Sequence, residues 1–251
     1  MKLSVTVTTH WEARLAVRCR VGAIRVGEPA AGSLGAPSPR DVEAVCSAVP
    51  DLPIAVALGD LPHEPQLAAL AARGAVAAGA STLTVGLRGS QTPEEAVQLL
   101  RAVQDAVAGG PPVTIIAAAY ADAARLDEPG LPVAALVSAA ARAGVAGCLI
   151  TTAVKDRHDL LTWLDTRELA TLVTAAHDQQ LSLAVGGGLR LGQLGRIAAA
   201  GADEVHLRRA VATSGLSFGR LDPGQMCRAR ELCVGASVHS SVGGRARRRR
   251  P

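Results

Sequence analysis

Residues 182–207, SLAVGGGLRLGQLGRIAAAGADEVHL, form one complete strand–helix–strand repeat in the sequence. The apolar runs 182–185 and 204–207 are short and bounded by turn residues, as expected of buried strands. Between them lie a glycine triplet, an Ala/Leu-rich stretch with helical spacing, and Gly201, which can end a helix in the left-handed conformation. This order predicts two parallel strands joined by a crossover helix.

The same unit recurs along the whole chain. Further apolar runs, many of them β-branched, lie at residues 3–8, 23–26, 54–58, 83–87, 113–118 and 147–151. Eight strands that alternate with helices and are too apolar to face water predict a parallel sheet covered by helices. The length of 251 residues favours a closed (β/α)8 TIM barrel over an open doubly wound sheet. We predict an α/β fold with a single barrel domain over residues 1–235 and a disordered, Arg-rich tail over residues 236–251.

The composition narrows the partners that we expect. Hydrophobic residues make up 49% of the chain and support a large core, whereas aromatic residues make up 2%, too few for a surface that stacks on nucleic-acid bases. Residues 243–251 hold five arginines, and subtracting them from the net charge of +4 leaves about −1 for the rest. The charge therefore gives no reason to expect a nucleic-acid partner.

Cysteine and histidine spacing indicates the environment of the protein. The five cysteines form no C-x-x-C pair, and the chain has neither a signal segment nor an apolar run of about 18 residues. We expect a reduced, cytoplasmic protein with no membrane partner. The six histidines are scattered without metal-ligand spacing, so we expect no metal and no cofactor. The sequence leaves a homo-oligomer open.

The loops after the last two strands suggest a phosphate site. In a barrel, functional residues come from the loops that follow the strands, and phosphate often binds after strands seven and eight. The glycine triplet 186–188 follows strand seven, and Arg208 and Arg209 follow strand eight. Glycine amides and bidentate arginines suit a phosphate group. We predict that Gly187, Gly188, Arg208 and Arg209 bind a small phosphorylated substrate; the alternative is a tight turn with one solvated arginine.

Lys155 is the candidate for amine chemistry. It is one of two lysines among 26 basic residues, the other being Lys2. A buried lysine near other charges can lose its proton and attack a carbonyl, which an arginine cannot do. Its place after strand six favours an inward role, as an amine or a phosphate-pairing cation, over a surface role. Asp60 and Asp122 follow strands three and five, where each is either a helix cap or an acid/base group.

Six motifs occur in order along the chain. They are GSLG at 32–35, GDLP at 59–62, VGLRG at 85–89, YADAAR at 120–125, TAVKD at 152–156 and GRLDP at 219–223. Together they resemble the (5-formylfuran-3-yl)methyl phosphate synthase family, known from methanofuran biosynthesis, over about residues 1–234. The resemblance implies a barrel lyase that condenses two molecules of glyceraldehyde 3-phosphate into a phosphorylated furan aldehyde.

The chain departs from that family at three positions. The resemblance implies a Schiff-base lysine where this chain has Gly27 and a second catalytic lysine where it has Thr84. It also implies an aspartate where this chain has Thr151. Of the lysines that the family pattern carries over, Lys155 remains. Glycine and threonine supply no amine, so the family mechanism cannot run unchanged.

Three hypotheses follow for the function. In the first, Lys155 acts as the amine, with its pKa lowered by burial or by a cation such as Arg208. In the second, the protein performs other sugar-phosphate chemistry, such as aldol cleavage or isomerisation, with Asp60 or Asp122 as base. In the third, it is a non-catalytic relative that binds a phosphorylated metabolite or a partner subunit. We take the first as the main hypothesis.

Overall fold

The computed structural model describes residues 1–128, 130–213, 215 and 218–243, with residues 236–243 described by their backbone. Eight parallel strands close into a barrel in chain order, which confirms the predicted (β/α)8 fold and its single domain. The strands are β1 (Lys2–Val7), β2 (Ala23–Val26), β3 (Ile54–Pro62), β4 (Thr82–Gly89), β5 (Thr114–Tyr120), β6 (Gly147–Thr151), β7 (Ser182–Val185) and β8 (Glu204–Leu207). The described residues contain the α-helices α1 (His10–Arg18), α2 (Pro39–Ala48), α3 (Pro65–Ala77), α4 (Pro93–Val107), α5 (Val133–Ala143), α6 (Leu160–Trp163), α7 (Thr166–Asp178), α8 (Leu194–Ala199) and α9 (Pro223–Gly243).

Alternation along each strand separates two environments. Successive side chains of a strand point to opposite faces, so one set packs against the helices and the other lines the barrel interior. In β1 and β2, Leu3, Val5 and Ile24 belong to the large core between strands and helices. Ser4 and Arg25 alternate with them and are 1% and 4% exposed. The barrel interior of this chain therefore carries polar and charged groups.

The loop between β2 and α2 inserts a leucine into the barrel. Leu34 is 1% exposed and packs in a small inner cluster with Ala118, Tyr120, Leu149 and Ala184. The amide of Glu28 donates to the carbonyl of Gly35 at 2.9 Å and closes the loop at its base. The loop thus reaches over the carboxyl ends of the strands, where barrel sites lie.

Local sequence fixes where the helices begin. The Thr92 hydroxyl accepts from the Glu95 amide at 3.2 Å, and the Glu95 carboxylate accepts from the Thr92 amide at 3.2 Å. This capping box, with Pro93 in the first turn, starts α4. The Asp222 carboxylate accepts from the Gln225 amide at 2.8 Å at the start of α9.

Helix α9 runs from Pro223 to Gly243, so the predicted domain boundary at residue 235 falls inside it. Residues 244–251 of the predicted disordered tail lie outside the described residues, and that part of the prediction stays a prediction. Among the residues that the structure describes, no helix combines the length and apolarity needed to span a membrane.

Candidate active site

The carboxyl ends of the strands surround a cavity with about 650 Å³ of empty space, which we call the mouth cavity. It brings together several of the residues predicted from the sequence: Lys155, Gly187, Gly188, Arg208 and Arg209 all line it. Asp60 and Asp122 lie close by in the structure, and each has partners of its own.

Lys155 stands in the mouth cavity beside other cations. Its Nζ donates to the Ser33 hydroxyl at 3.1 Å. Burial of the ammonium group, together with the charges of Arg25 and Arg209, lowers the pKa of Lys155 to about 8 from its usual 10.5. The residue as a whole is exposed at the open mouth, so water screens part of this effect and a substrate can reach the amine. Lys155 can therefore supply a neutral amine close to neutral pH.

Asp122 fixes the loop that carries Lys155. Its two carboxylate oxygens accept from the backbone amides of Ala153 at 2.7 Å and Val154 at 3.0 Å. Asp122 is 1% exposed, and it makes no side-chain capping bond to the short 3-10 helix that follows it. These contacts hold the residues immediately before Lys155 against the end of β5.

Asp60 forms a hydrogen-bonded pair with the single tyrosine of the chain. The Tyr120 hydroxyl lies 2.7 and 2.8 Å from the two carboxylate oxygens of Asp60. Burial raises the pKa of Asp60, and the hydrogen bond from Tyr120 offsets part of that rise. Asp60 lies inside β3 and not in the loop after it, because β3 continues to pair with β4 as far as Pro62 through two register shifts.

Arg209 ties the glycine loop to the loop after β6. Its Nη1 donates to the carbonyl of Asp156 at 2.6 Å and its Nη2 to the carbonyl of Gly188 at 3.1 Å. Within the described part of the chain, the amides of Gly187 and Gly188 have no acceptor. Both glycines line the mouth cavity, so their N–H groups are available to an anion there.

Arg208 is held by protein groups. Its Nη1 donates to the carbonyl of Thr6 at 3.1 Å and to the carboxylate of Glu12 at 2.5 Å, and its Nη2 donates to the carbonyl of Gly219 at 3.0 Å. These bonds join the end of β8 to β1, to α1 and to the loop before α9. Arg208 thus adds positive charge to the cavity wall and holds together the elements that form it.

A buried charge network inside the barrel was not predicted from the sequence. Arg25 Nη1 lies 3.1 Å from His206 Nδ1, and His206 Nε2 lies 3.0 Å from a carboxylate oxygen of Glu204. Lys2 pairs with the other oxygen of Glu204 at 3.4 Å. An arginine donates only, so His206 accepts through Nδ1 and carries its proton on Nε2. Arg25 in the otherwise apolar β2, together with Glu204 and His206 in β8, was the sequence feature that could have indicated this network.

The three positions that depart from the family pattern all lie at the barrel interior or its mouth. Thr84 and Thr151 are 2% and 5% exposed. At Gly27 a Cβ atom would lie 3.4 Å from Thr6 Cγ2 and 3.6 Å from the carbonyl oxygen of Gly35, which are ordinary contacts. A Cβ atom at Gly27 would therefore fit against its neighbours without displacing them.

We expect Gly187→Ala to lower the free energy of unfolding by at least about 1–2 kcal/mol. Gly187 has a φ of +92°, and an added Cβ would lie 2.6 Å from the Thr152 amide nitrogen. Gly192→Ala is the matched control, because a Cβ there meets no atom within 4 Å. Urea denaturation measures both, and equal stability of the two variants would contradict the strain argument.

Comparisons with known proteins show the family and the fold that this chain shares. The profile of the 4-HFC-P synthase family matches residues 3–229. The (5-formylfuran-3-yl)methyl phosphate synthase of Methanopyrus kandleri is 36% identical over 219 residues, which cover 85% of this chain and 90% of that protein. The enzyme of the same name from Methanothermobacter thermautotrophicus is 34% identical over 218 residues, with coverages of 86% and 91%. The structure of 3-hexulose-6-phosphate synthase from Salmonella typhimurium superposes with a TM-score of 0.65 at 16% identity, covering 94% of this chain and all of that one, and shows the shared barrel.

Proposed function

Because the chain belongs to the 4-HFC-P synthase family, we propose that it condenses two molecules of glyceraldehyde 3-phosphate into a phosphorylated furan aldehyde, with Lys155 as the amine. The observation that carries the proposal is the position of Lys155: it lines the mouth cavity, and burial beside Arg25 and Arg209 lowers its pKa to about 8. No other lysine of the chain lies near this cavity, since Lys2 sits at the start of β1, at the opposite end of the barrel.

The proposed reaction begins with an imine. The neutral Lys155 amine attacks the aldehyde carbon of one triose phosphate and water leaves. The imine makes the proton on the neighbouring carbon acidic, and a base that removes it yields an enamine whose carbon attacks the aldehyde of the second triose. Two trioses exceed the furan product by one phosphate and two waters, so later steps are eliminations that also need proton transfer.

The Asp60–Tyr120 pair is our candidate for these proton transfers. The raised pKa of Asp60 brings its carboxylate closer to the range in which it both takes and returns a proton. Burial and the charge of Asp60 raise the pKa of Tyr120. The phenol therefore stays protonated and donates a hydrogen bond to the Asp60 carboxylate. We assign Asp122 to positioning, because both of its oxygens are occupied by the backbone of the Lys155 loop.

The glycine loop is our candidate for the phosphate anchor. The amides of Gly187 and Gly188 line the cavity and have no protein acceptor among the described residues, so they can donate to a bound phosphate. Arg209 adds charge while it holds the loop to the carbonyl of Asp156. Arg208 adds positive charge to the cavity wall, where β1 and α1 hold its guanidinium.

Incubation with glyceraldehyde 3-phosphate between pH 6.5 and 9.5 tests the proposal. We expect a furan aldehyde by mass and absorbance, with one inorganic phosphate released per product. Because the neutral amine reacts and its pKa is about 8, kcat/KM should rise with pH through about 8 and then level off. Tight binding of the triose without product would contradict the enzyme proposal and favour a non-catalytic relative. A pH profile without a rising limb near 8 would remove Lys155 from the mechanism.

A further inference from the structure

Arg25 lies at the floor of the mouth with one nitrogen unpaired. It is 4% exposed, and its Nη1 is engaged by His206 at 3.1 Å. Its Nη2 is buried and has no hydrogen-bond partner within the described residues. A buried donor without an acceptor is costly, and more so when it belongs to a charged group. The unpaired side of this guanidinium is therefore suited to an acceptor from outside the protein.

A second cavity adjoins this guanidinium. It is a small space of about 50 Å³ that opens to solvent and is lined by Arg25, Gly27, Ser33, Lys155 and Arg208 among others; we call it the Arg25 pocket. Arg25 and Lys155 line the mouth cavity as well, so the two spaces share a wall. Since Gly27 has no side chain, the pocket is open where the chain leaves β2.

The carboxylates nearest the Arg25 pocket already have partners. Glu204 is hydrogen-bonded to His206 and paired with Lys2. The carboxylate of Glu28 accepts from the Ala30 amide at 2.9 Å. Burial lowers the pKa of Arg25 to about 10, which still leaves the guanidinium charged at neutral pH. The pocket is thus lined by three cations, Arg25, Lys155 and Arg208, of which Arg208 is already paired with Glu12. Its acidic residue, Glu28, accepts from a backbone amide.

We propose that the Arg25 pocket binds a second oxyanion of the substrate, a carboxylate or a second phosphate, so that the site selects small molecules with two anionic groups. The inference rests on the proposed function in one respect: the glycine loop takes the first phosphate. Arg25 Nη2 donates to the second anion, and His206 holds the guanidinium in place through Nη1, so the Lys155 amine stays available to the aldehyde. An adduct of two triose phosphates carries two phosphates until one is eliminated, and it belongs to this class.

Calorimetric titration of matched ligands tests the proposal. 3-Phosphoglycerate and glycerol 3-phosphate share a three-carbon skeleton and differ by a carboxylate, while fructose 1,6-bisphosphate and fructose 6-phosphate differ by a phosphate. We expect the doubly anionic member of at least one pair to bind roughly tenfold or more tightly in the wild type. The pair that shows the gain identifies the second anion as carboxylate or phosphate.

Two variants test whether the higher affinity for the doubly anionic ligand arises in the Arg25 pocket. Arg25→Gln removes the charge of the guanidinium. Gly27→Leu fills the pocket without removing a hydrogen bond. If circular dichroism shows that Arg25→Gln does not fold, Gly27→Leu is the variant that tests the proposal. The affinity ratio within the pair should fall to about one in both. Arg40→Gln, an exposed arginine on α2, is the control and should keep the ratio. A ratio near one in the wild type, or a ratio retained in Gly27→Leu, would overturn the proposal, and neither result depends on whether a furan product forms.

Discussion

Lys155→Arg is expected to abolish furan formation from glyceraldehyde 3-phosphate, lowering kcat by about 10³-fold or more. Arginine keeps the positive charge and can still donate to the Ser33 hydroxyl, which Lys155 does at 3.1 Å. It cannot become a neutral amine at any pH at which the protein is folded, and so it cannot form an imine. The substitution therefore separates amine chemistry from simple charge stabilisation.

Because the chain has two lysines, an imine adduct can be assigned to one residue. Lys2→Arg keeps the ion pair with Glu204 and leaves Lys155 as the only lysine. We expect borohydride reduction with the triose to add mass to the Lys155 peptide in wild type and in Lys2→Arg, and none in Lys155→Arg. Turnover by Lys155→Arg at the wild-type rate, or an adduct found on Lys2, would contradict the proposal that Lys155 is the reacting amine. A variant that binds the triose with unchanged affinity and yields no product supports it.

Asp122→Ala is expected to lower the free energy of unfolding by about 2–4 kcal/mol and to reduce turnover strongly. The change removes the acceptors of two backbone amides, those of Ala153 and Val154, at a site that is 1% exposed. Both amides belong to the loop that ends at Lys155, so the loss should displace the amine as well as destabilise the barrel. Urea denaturation and kcat measured on the same preparation give the two effects.

Asp122→Asn distinguishes positioning from catalysis. Its amide oxygen can replace one of the two acceptors, so we expect intermediate stability and a partial return of turnover relative to Asp122→Ala. If Asp122 were instead the base of the reaction, Asn would be as inactive as Ala while recovering stability. The two roles therefore predict the same order of stability and different activities: Asp122→Asn exceeds Asp122→Ala if Asp122 positions the loop, and equals it if Asp122 is the base.

The strands and several helix starts could be predicted because their causes are local. Each strand is a short apolar run, and α4 begins at a capping box whose members lie three residues apart. The position of Asp60 could not be predicted from local sequence. The apolar run ends at residue 58, yet β3 continues to Pro62 because it pairs with β4. The extension depends on a neighbouring strand and not on the segment itself.

The sequence by itself determined the barrel, the place of Lys155 after its sixth strand and the glycine loop after its seventh. Periodic apolarity and turn residues act over a few positions, so they can be found in the chain without coordinates. Only the tertiary structure decided what surrounds the site. Lys155 meets Ser33 across 122 residues and Arg25 meets His206 across 181. Both the lowered pKa of Lys155 and the unpaired nitrogen of Arg25 arise from such long-range neighbours, because burial and charge depend on distance in space.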